Sequence, residues 1–181
     1  MTDWTFDTSQ LTFLKELLAS DRLELIWDIN AFYFNTHSKT YKLECMDDVP
    51  EGGNAEEYDE IFFCSMTLLK EKEQFQENDP RYWYKVLSKD CKVLSIKSLN
   101  VLHKFPDNKL IPPDKIDTSN MGVNKYSLGL IIETDQGYVP AFLLPSNHGF
   151  QWCDKFDFHS LKEINELLSK NIEHYEIINC A

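Results

Sequence analysis

Two amphipathic helices with strong N-terminal capping signals flank a sequence in which apolar and polar residues alternate. Near the start of the chain, Asp7 begins a predicted capping box and a stripe of leucines follows it. Near the end, Ser160 begins the same pattern before a second apolar stripe. We therefore predict helices over residues 8–20 and 161–170, with extended segments between them.

The segments between the helices have the period of two that is typical of β-strands. Strands are predicted over residues 23–30, 40–46, 60–69, 81–88, 91–102, 127–134, 138–144 and 174–178. The run over 60–69 is almost continuously apolar, which favours a buried central strand. Pro140 cannot donate a ladder hydrogen bond, so its strand is expected at a sheet edge. The sum predicts an α+β fold: a mainly antiparallel sheet of about seven or eight strands, with the N-terminal and C-terminal amphipathic helices packed on it.

The length of 181 residues suits a single domain, residues 1–181. Apolar residues make up 43% of the chain, which is enough for a core that needs no structural metal or disulfide. Breakers at Pro50 and Gly52-Gly53 predict an acidic loop over residues 47–59. Three prolines and no periodicity predict an irregular loop over residues 105–125.

The first residues contain neither a basic segment nor an apolar one, so no signal peptide is expected. No apolar run approaches the roughly 18 residues needed to span a bilayer, so we predict a cytoplasmic protein that makes no membrane contact. The cysteines are odd in number and include no Cys-x-x-Cys pair, so we expect reduced, mostly buried thiols. They are Cys45, Cys64, Cys91, Cys153 and Cys180.

The net charge of −12 belongs entirely to residues 1–79, which hold 18 acidic and 6 basic side chains. The remaining residues hold 12 of each sign. Eight of the acids lie between Leu43 and Leu69, where there is no lysine or arginine. They are Glu44, Asp47, Asp48, Glu51, Glu56, Glu57, Asp59 and Glu60. The cluster is either a solvated loop that aids solubility or a docking surface for a basic partner, and we predict the second as the partner-binding site.

This charge argues against nucleic acid as a partner, because such proteins need a basic surface that displaces counterions from phosphates. One short run, residues 81–85, places aromatic residues between Arg81 and Lys85. Its alternation is that of a strand, and it lies in the neutral half of the chain. We therefore interpret it as core and sheet face.

Five potential metal ligands lie within twelve residues before the C-terminal helix. They are His148, Cys153, Asp154, Asp157 and His159. Zinc accepts these ligand types, and Cys153 with a neighbouring histidine is also a candidate nucleophile. The spacing matches no zinc signature, and a turn followed by packed aromatic residues explains the segment adequately. We therefore predict no metal and no cofactor.

The absence of a catalytic motif and the acidic first half together predict a small binding protein that is not an enzyme. The specific hypothesis is an inhibitor or immunity protein, of the bacterial kind, that neutralises a basic partner such as a toxin nuclease. Two alternatives stay open. One is a hydrolytic or metal-dependent enzyme that uses residues 148–159, and the other is a subunit or adaptor of a larger assembly.

Overall fold

The computed structural model describes residues 3–48, 61–76, 79–87, 91–105, 122–146, 149–153, 157–172 and 174–181. Within these ranges the chain forms eleven strands and two helices. In chain order they are β1 (Asp3–Trp4), α1 (Thr8–Leu18), β2 (Leu23–Trp27), β3 (Ala31–Asn35), β4 (Thr40–Asp48), β5 (Ile61–Leu68), β6 (Trp83–Leu87), β7 (Val93–Phe105), β8 (Gly122–Thr134), β9 (Gly137–Ser146), β10 (Gly149–Trp152), α2 (Leu161–Asn171) and β11 (Tyr175–Asn179).

The strands form two sheets rather than the single sheet of seven or eight strands that the sequence predicts. One has five strands in the order β5-β4-β3-β2-β6, and every neighbouring pair is antiparallel. The other has the order β10-β9-β8-β7-β11, all antiparallel, with β1 added parallel to β8. The α+β class and the mainly antiparallel pairing are therefore confirmed. The number of sheets was wrong because alternation identifies a strand without identifying its partners.

One hydrophobic core joins the two sheets. Phe32 and Leu43 of the five-stranded sheet and Ile96 and Phe142 of the six-stranded sheet are all completely buried members of it. Each Å² of apolar surface removed from water stabilises the folded state by roughly 25 cal/mol, so this shared core is the main source of stability. The two sheets therefore share one hydrophobic core over the described residues.

Both helices begin at the predicted caps. The Asp7 carboxylate accepts the backbone N–H of Gln10 at 2.8 Å, and the Ser160 hydroxyl accepts the backbone N–H of Glu163 at 3.2 Å. In both cases the partner side chain returns a bond to the cap backbone, so both capping boxes are complete. The predicted helix 8–20 ends two residues early, and 161–170 extends one residue further to Asn171.

The predicted central strand is wrong in its position. In the described part of the chain β5 pairs only with β4, which places it at the edge of its sheet. Its apolar run reflects cover on both faces, since Cys64 and Met66 point into the core while Phe63 packs against Trp4, with ring centroids 6.2 Å apart. A continuous apolar run indicates that both faces of a strand are buried. It does not indicate a central position, because a strand at a sheet edge can also be covered on both faces.

The strand that contains Pro140 is not an edge strand, because β9 lies between β8 and β10. On the side away from β8, Tyr138 exchanges two backbone hydrogen bonds with His159, and the Phe142 carbonyl accepts the Cys153 N–H at 2.8 Å. Alternate residues of a strand point their backbone groups the same way. The Pro140 nitrogen therefore faces away from β8, between the contacts of Tyr138 and Phe142. Because it does not point toward β8, the lack of an N–H group at Pro140 costs no hydrogen bond between β9 and β8.

Both predicted loops include residues that the structure assigns to strands. Strand β4 continues to Asp48, so Asp47 and Asp48 pair with Phe62 and Ile61 instead of opening the loop at 47–59. Likewise β7 runs to Phe105 and β8 starts at Gly122, so the two ends of the loop at 105–125 are strand. Both strand extensions contain polar residues, so a search for alternating apolar residues does not detect them. Residues 49–60 and 106–121 lie outside the described residues.

Candidate functional site

An open groove of about 630 Å³ lies at one end of the five-stranded sheet. The turn between β2 and β3, strand β4 and the start of β6 line it on one side, and β9 and β10 of the other sheet line it on the other. We name it the Trp83 groove. Its volume is in the range of small-molecule and side-chain binding sites.

Three tryptophans, Trp27, Trp83 and Trp152, line the Trp83 groove. Trp83 lies directly opposite Trp27 in the register of β6 and β2, and their rings stack with centroids 4.2 Å apart. Trp27 and Trp152 are almost fully buried, whereas 53% of Trp83 is exposed. Trp83 therefore presents an indole surface to solvent while its stacking on Trp27 restricts its movement.

The turn between β2 and β3 forms one wall of the groove. The Asp28 carboxylate accepts the backbone N–H groups of Asn30 and Ala31 at 2.7 and 2.8 Å, which closes an Asx turn. The turn leaves Ile29 82% exposed, although the alternation in the sequence predicts Ile29 within a strand over 23–30. The strand ends at Trp27 because Asp28 redirects the backbone.

The polar lining comes from strands of both sheets. The Lys42 ammonium and the Glu44 carboxylate form an ion pair at 2.5 Å, and both side chains are about 30% exposed. Asn30, in the turn after β2, and Gln151, in β10, are also lining residues. Leu43 is in register with Phe32 and Trp27, so the side chains of its neighbours Lys42 and Glu44 point to the opposite face of the sheet from Trp27 and Trp83.

Of the eight predicted partner-binding acids, the structure places three on the second half of β4. Glu44 lines the groove, Asp47 is exposed two residues beyond the groove residue Cys45, and Asp48 ends the strand. The remaining five lie outside the described residues: Glu51, Glu56, Glu57, Asp59 and Glu60. The structure thus places one acid of the cluster, Glu44, among the residues that line the Trp83 groove.

Sequence reasoning missed the tryptophan surface. Trp27 and Trp83 are 56 positions apart and belong to strands that meet only through the register of β2 with β6. The run over 81–85 is predicted to be core and sheet face, and Trp83, the first residue of β6, is on a part of that sheet face that solvent reaches. A tryptophan at the first residue of a strand, after a proline-containing turn, was the one available signal.

The segment proposed for metal binding or catalysis is only partly described. His148 and Asp154 lie outside the described residues, Cys153 is 1% exposed, Asp157 is exposed and His159 is half-buried. Among the residues that the structure describes, no group of three or more His, Cys, Asp or Glu side chains could hold a metal ion. Cys153, Asp157 and His159 are therefore not part of such a group of metal ligands within the described residues.

All five cysteines are free thiols, and Cys64, Cys91 and Cys153 are buried. Cys45 lies opposite Cys64 across β4 and β5. Burial, and secondarily the charge of Asp47, raise the pKa of Cys45 to about 11, and burial raises the pKa of Cys64 well above its usual value. Neither of these two is a thiolate at neutral pH, so they are not activated nucleophiles.

Thiol labelling tests this description of the cysteines. With an excess of iodoacetamide at neutral pH, we expect the folded protein to react slowly and at Cys45 and Cys180 first, since these two are half-buried. All five should react once denaturant unfolds the chain, as peptide mass spectrometry would show. Rapid labelling of Cys153 in the folded protein would contradict its burial and would favour the enzyme alternative.

None of the described helices has the length and apolar character needed to cross a membrane. Comparison with known proteins gives no match: no protein-family model, no curated protein and no solved structure corresponds to this chain. The function must therefore be inferred from the site itself.

Proposed function

We propose that this is a binding protein that holds a basic protein partner at the Trp83 groove and the acidic end of β4. The observation that carries the proposal is the exposed Trp83 in a groove that is also lined by Glu44, the first residue of the acidic cluster. Exposed apolar residues that lie together next to a polar rim mark interaction sites. Tryptophan is also among the residue types that contribute most to binding energy when a partner covers them.

The charge of the chain supports a cationic partner. Glu44 lines the groove, Asp28 and Asp47 are close in sequence to lining residues, and Lys42 is the one cation among the lining residues that the structure describes. The eight-acid cluster, of which Glu44 and Asp47 are part, extends the negative charge along the sequence. Such a surface accelerates encounter with a partner of opposite charge and disfavours partners of like charge.

The more specific form of the proposal is an inhibitor or immunity protein for a cationic toxin, such as a nuclease. A nuclease presents cations that bind phosphates, and carboxylates of the acidic cluster can occupy those positions. The aromatic groove then adds apolar contacts that bulk charge alone does not provide. The alternative of an assembly subunit would use the same groove for an apolar contact, which salt would not weaken.

Affinity capture at two salt concentrations tests the proposal. The tagged protein should retain a basic protein from lysate of its source cell at about 50 mM salt and lose most of it at about 500 mM. As a control, we would reverse the charge of six acids: Asp47, Asp48, Glu56, Glu57, Asp59 and Glu60. That variant should retain much less of the same protein at low salt. Equal retention by both forms would refute the proposal.

A further inference from the structure

We infer that Cys45 of β4 and Cys64 of β5 form a reversible disulfide in the folded protein when a low-molecular-weight disulfide is the oxidant. The two cysteines lie directly opposite each other in the register of the antiparallel pair. Residues that face each other in this way project their side chains from the same face of the sheet. The inference rests on the geometry of β4 and β5 and does not depend on the proposed function.

The hydrogen-bond pattern of the two strands places the cysteines in the closer of the two kinds of cross-strand pair. The backbone N–H of Leu69 donates to the carbonyl of Thr40 at 3.0 Å, and these two residues continue the same register. Hydrogen-bonded and non-hydrogen-bonded pairs alternate along an antiparallel ladder. Cys45 is five positions beyond Thr40, so Cys45 and Cys64 form a non-hydrogen-bonded pair. The Cα atoms of such a pair are about 4.5 Å apart, which lies within the range of about 4.4 to 6.8 Å that disulfides span.

The two thiols differ in their access to solvent. Cys64 is 2% exposed, whereas Cys45 is half-buried and lines the Trp83 groove, which is wide enough to admit a small molecule. Burial is the main reason that the pKa of Cys64 is raised well above its usual value, and the charge of Cys45 raises it further. The two thiols are therefore close enough to influence each other. The Cys45 thiol also donates a weak hydrogen bond to the Met46 carbonyl at 3.8 Å, which disulfide formation would replace.

Thiol–disulfide exchange supplies a balanced route to this bond. The Cys45 thiol loses its proton, and the thiolate attacks one sulfur of the small disulfide, whose other half leaves as a thiolate. The Cys64 thiol then loses its proton and attacks the Cys45 sulfur of the mixed disulfide, which releases the second half as a thiolate. The two released thiolates take up the two protons, so two protein thiols are oxidised and one small disulfide is reduced. Because burial raises the pKa of both cysteines, the reaction is expected to be slow at neutral pH.

The disulfide would close the segment of the sequence that carries most of the acidic cluster. Residues 46–63 contain seven of its eight acids, all except Glu44. The new bond would join the two ends of this segment and would link β5 covalently to β4, its only partner strand in the described part of the chain. A cross-link of this kind restricts the unfolded chain, so the oxidised protein should be the more stable form.

Oxidation of the folded, full-length protein with cystamine tests the inference. Cystamine is a small disulfide with two positive charges, which suits a thiol that is influenced by the charge of Asp47. At about pH 8 we expect the protein to lose the mass of two hydrogens, and digestion after glutamate without reductant should give peptides joined through Cys45 and Cys64. Cys45→Ser and Cys64→Ala should each prevent this product. The matched control is Cys180→Ser, which removes a half-buried thiol that follows β11 and should leave the product unchanged. A Cys45 that retains half of a cystamine molecule, or a disulfide that forms only after denaturant unfolds the chain, would overturn the inference.

Thermal unfolding tests whether the folded sheet accommodates the bond. The oxidised protein should unfold at a midpoint roughly 5 to 10 °C above that of the reduced protein, and dithiothreitol should restore the original midpoint. Cys64→Ala treated with cystamine in the same way should show no such rise. A lower midpoint for the disulfide-linked form would show that β4 and β5 must distort to make the bond, and would overturn the inferred geometry.

Discussion

Replacing Gly129 with alanine is expected to lower the free energy of unfolding by about 3 kcal/mol or more. Gly129 has φ of +137°, a backbone conformation that residues with a side chain rarely adopt. A Cβ atom there would lie 2.3 Å from the Ala141 carbonyl oxygen and 2.5 Å from the Phe142 Cα. These are backbone atoms of the paired strand β9, so the strain can be relieved only by separating β8 from β9. Thermal and denaturant unfolding would measure the loss.

Two further variants calibrate that measurement. Gly137→Ala meets a milder contact, since its nearest atom is the His159 carbonyl oxygen at 2.9 Å, although its φ of +138° is equally unfavourable. Thr67→Ala, at an exposed position of β5, should change stability by less than about 0.5 kcal/mol. We expect the loss to be largest at Gly129, intermediate at Gly137 and smallest at Thr67. An unfolding midpoint of Gly129→Ala equal to that of the original protein would contradict the described β8–β9 pairing.

Reversing the charge of Asp47 and Asp48 together should lower the association rate with the basic partner by about 10- to 100-fold at low salt. Both residues lie at the end of β4, and a cationic partner of the proposed kind would experience their field as it approaches. Association rates by surface plasmon resonance would measure the effect. The dissociation rate should change less, because charges at the edge of an interface act mainly on encounter.

A second double reversal controls for total charge. Asp157→Lys with Glu166→Lys changes the net charge by the same amount at two exposed positions outside the groove lining. This variant should alter the association rate by less than about threefold. Equal losses in both variants would show that the partner responds to overall charge and that the end of β4 has no special part in binding.

Local patterns were sufficient to predict the two helices and the strands over 127–134 and 138–144, which belong to β8 and β9. Capping boxes at Asp7 and Ser160 depend on residues three positions apart, and the Asp135-Gln136-Gly137 turn is equally local. Assignment to two sheets was not predictable, because it depends on which strands meet after the chain has folded back. The antiparallel pairing of β6 with β2 is an example, because residues 28–82 lie between these two strands in the sequence.

Of the features of the candidate site, only its negative charge could be predicted from the sequence. The acid cluster is visible in the sequence because like residues lie close together, and the structure places Glu44, Asp47 and Asp48 in one strand. The aromatic surface was not visible, because Trp27, Trp83 and Trp152 come from three strands and two sheets. Strand register and exposure, which decide whether a tryptophan is core or binding surface, are properties of the folded chain.

The most direct test of a charge-dependent partner site is the salt dependence of the dissociation constant for the captured partner. We expect the dissociation constant to rise by at least about tenfold between about 50 mM and about 300 mM salt, because counterions screen exposed charges that lie more than a Debye length apart. The Asp47 and Asp48 double reversal should flatten this dependence. A dissociation constant that is unchanged across the same range would contradict the account and would favour an apolar contact in a larger assembly.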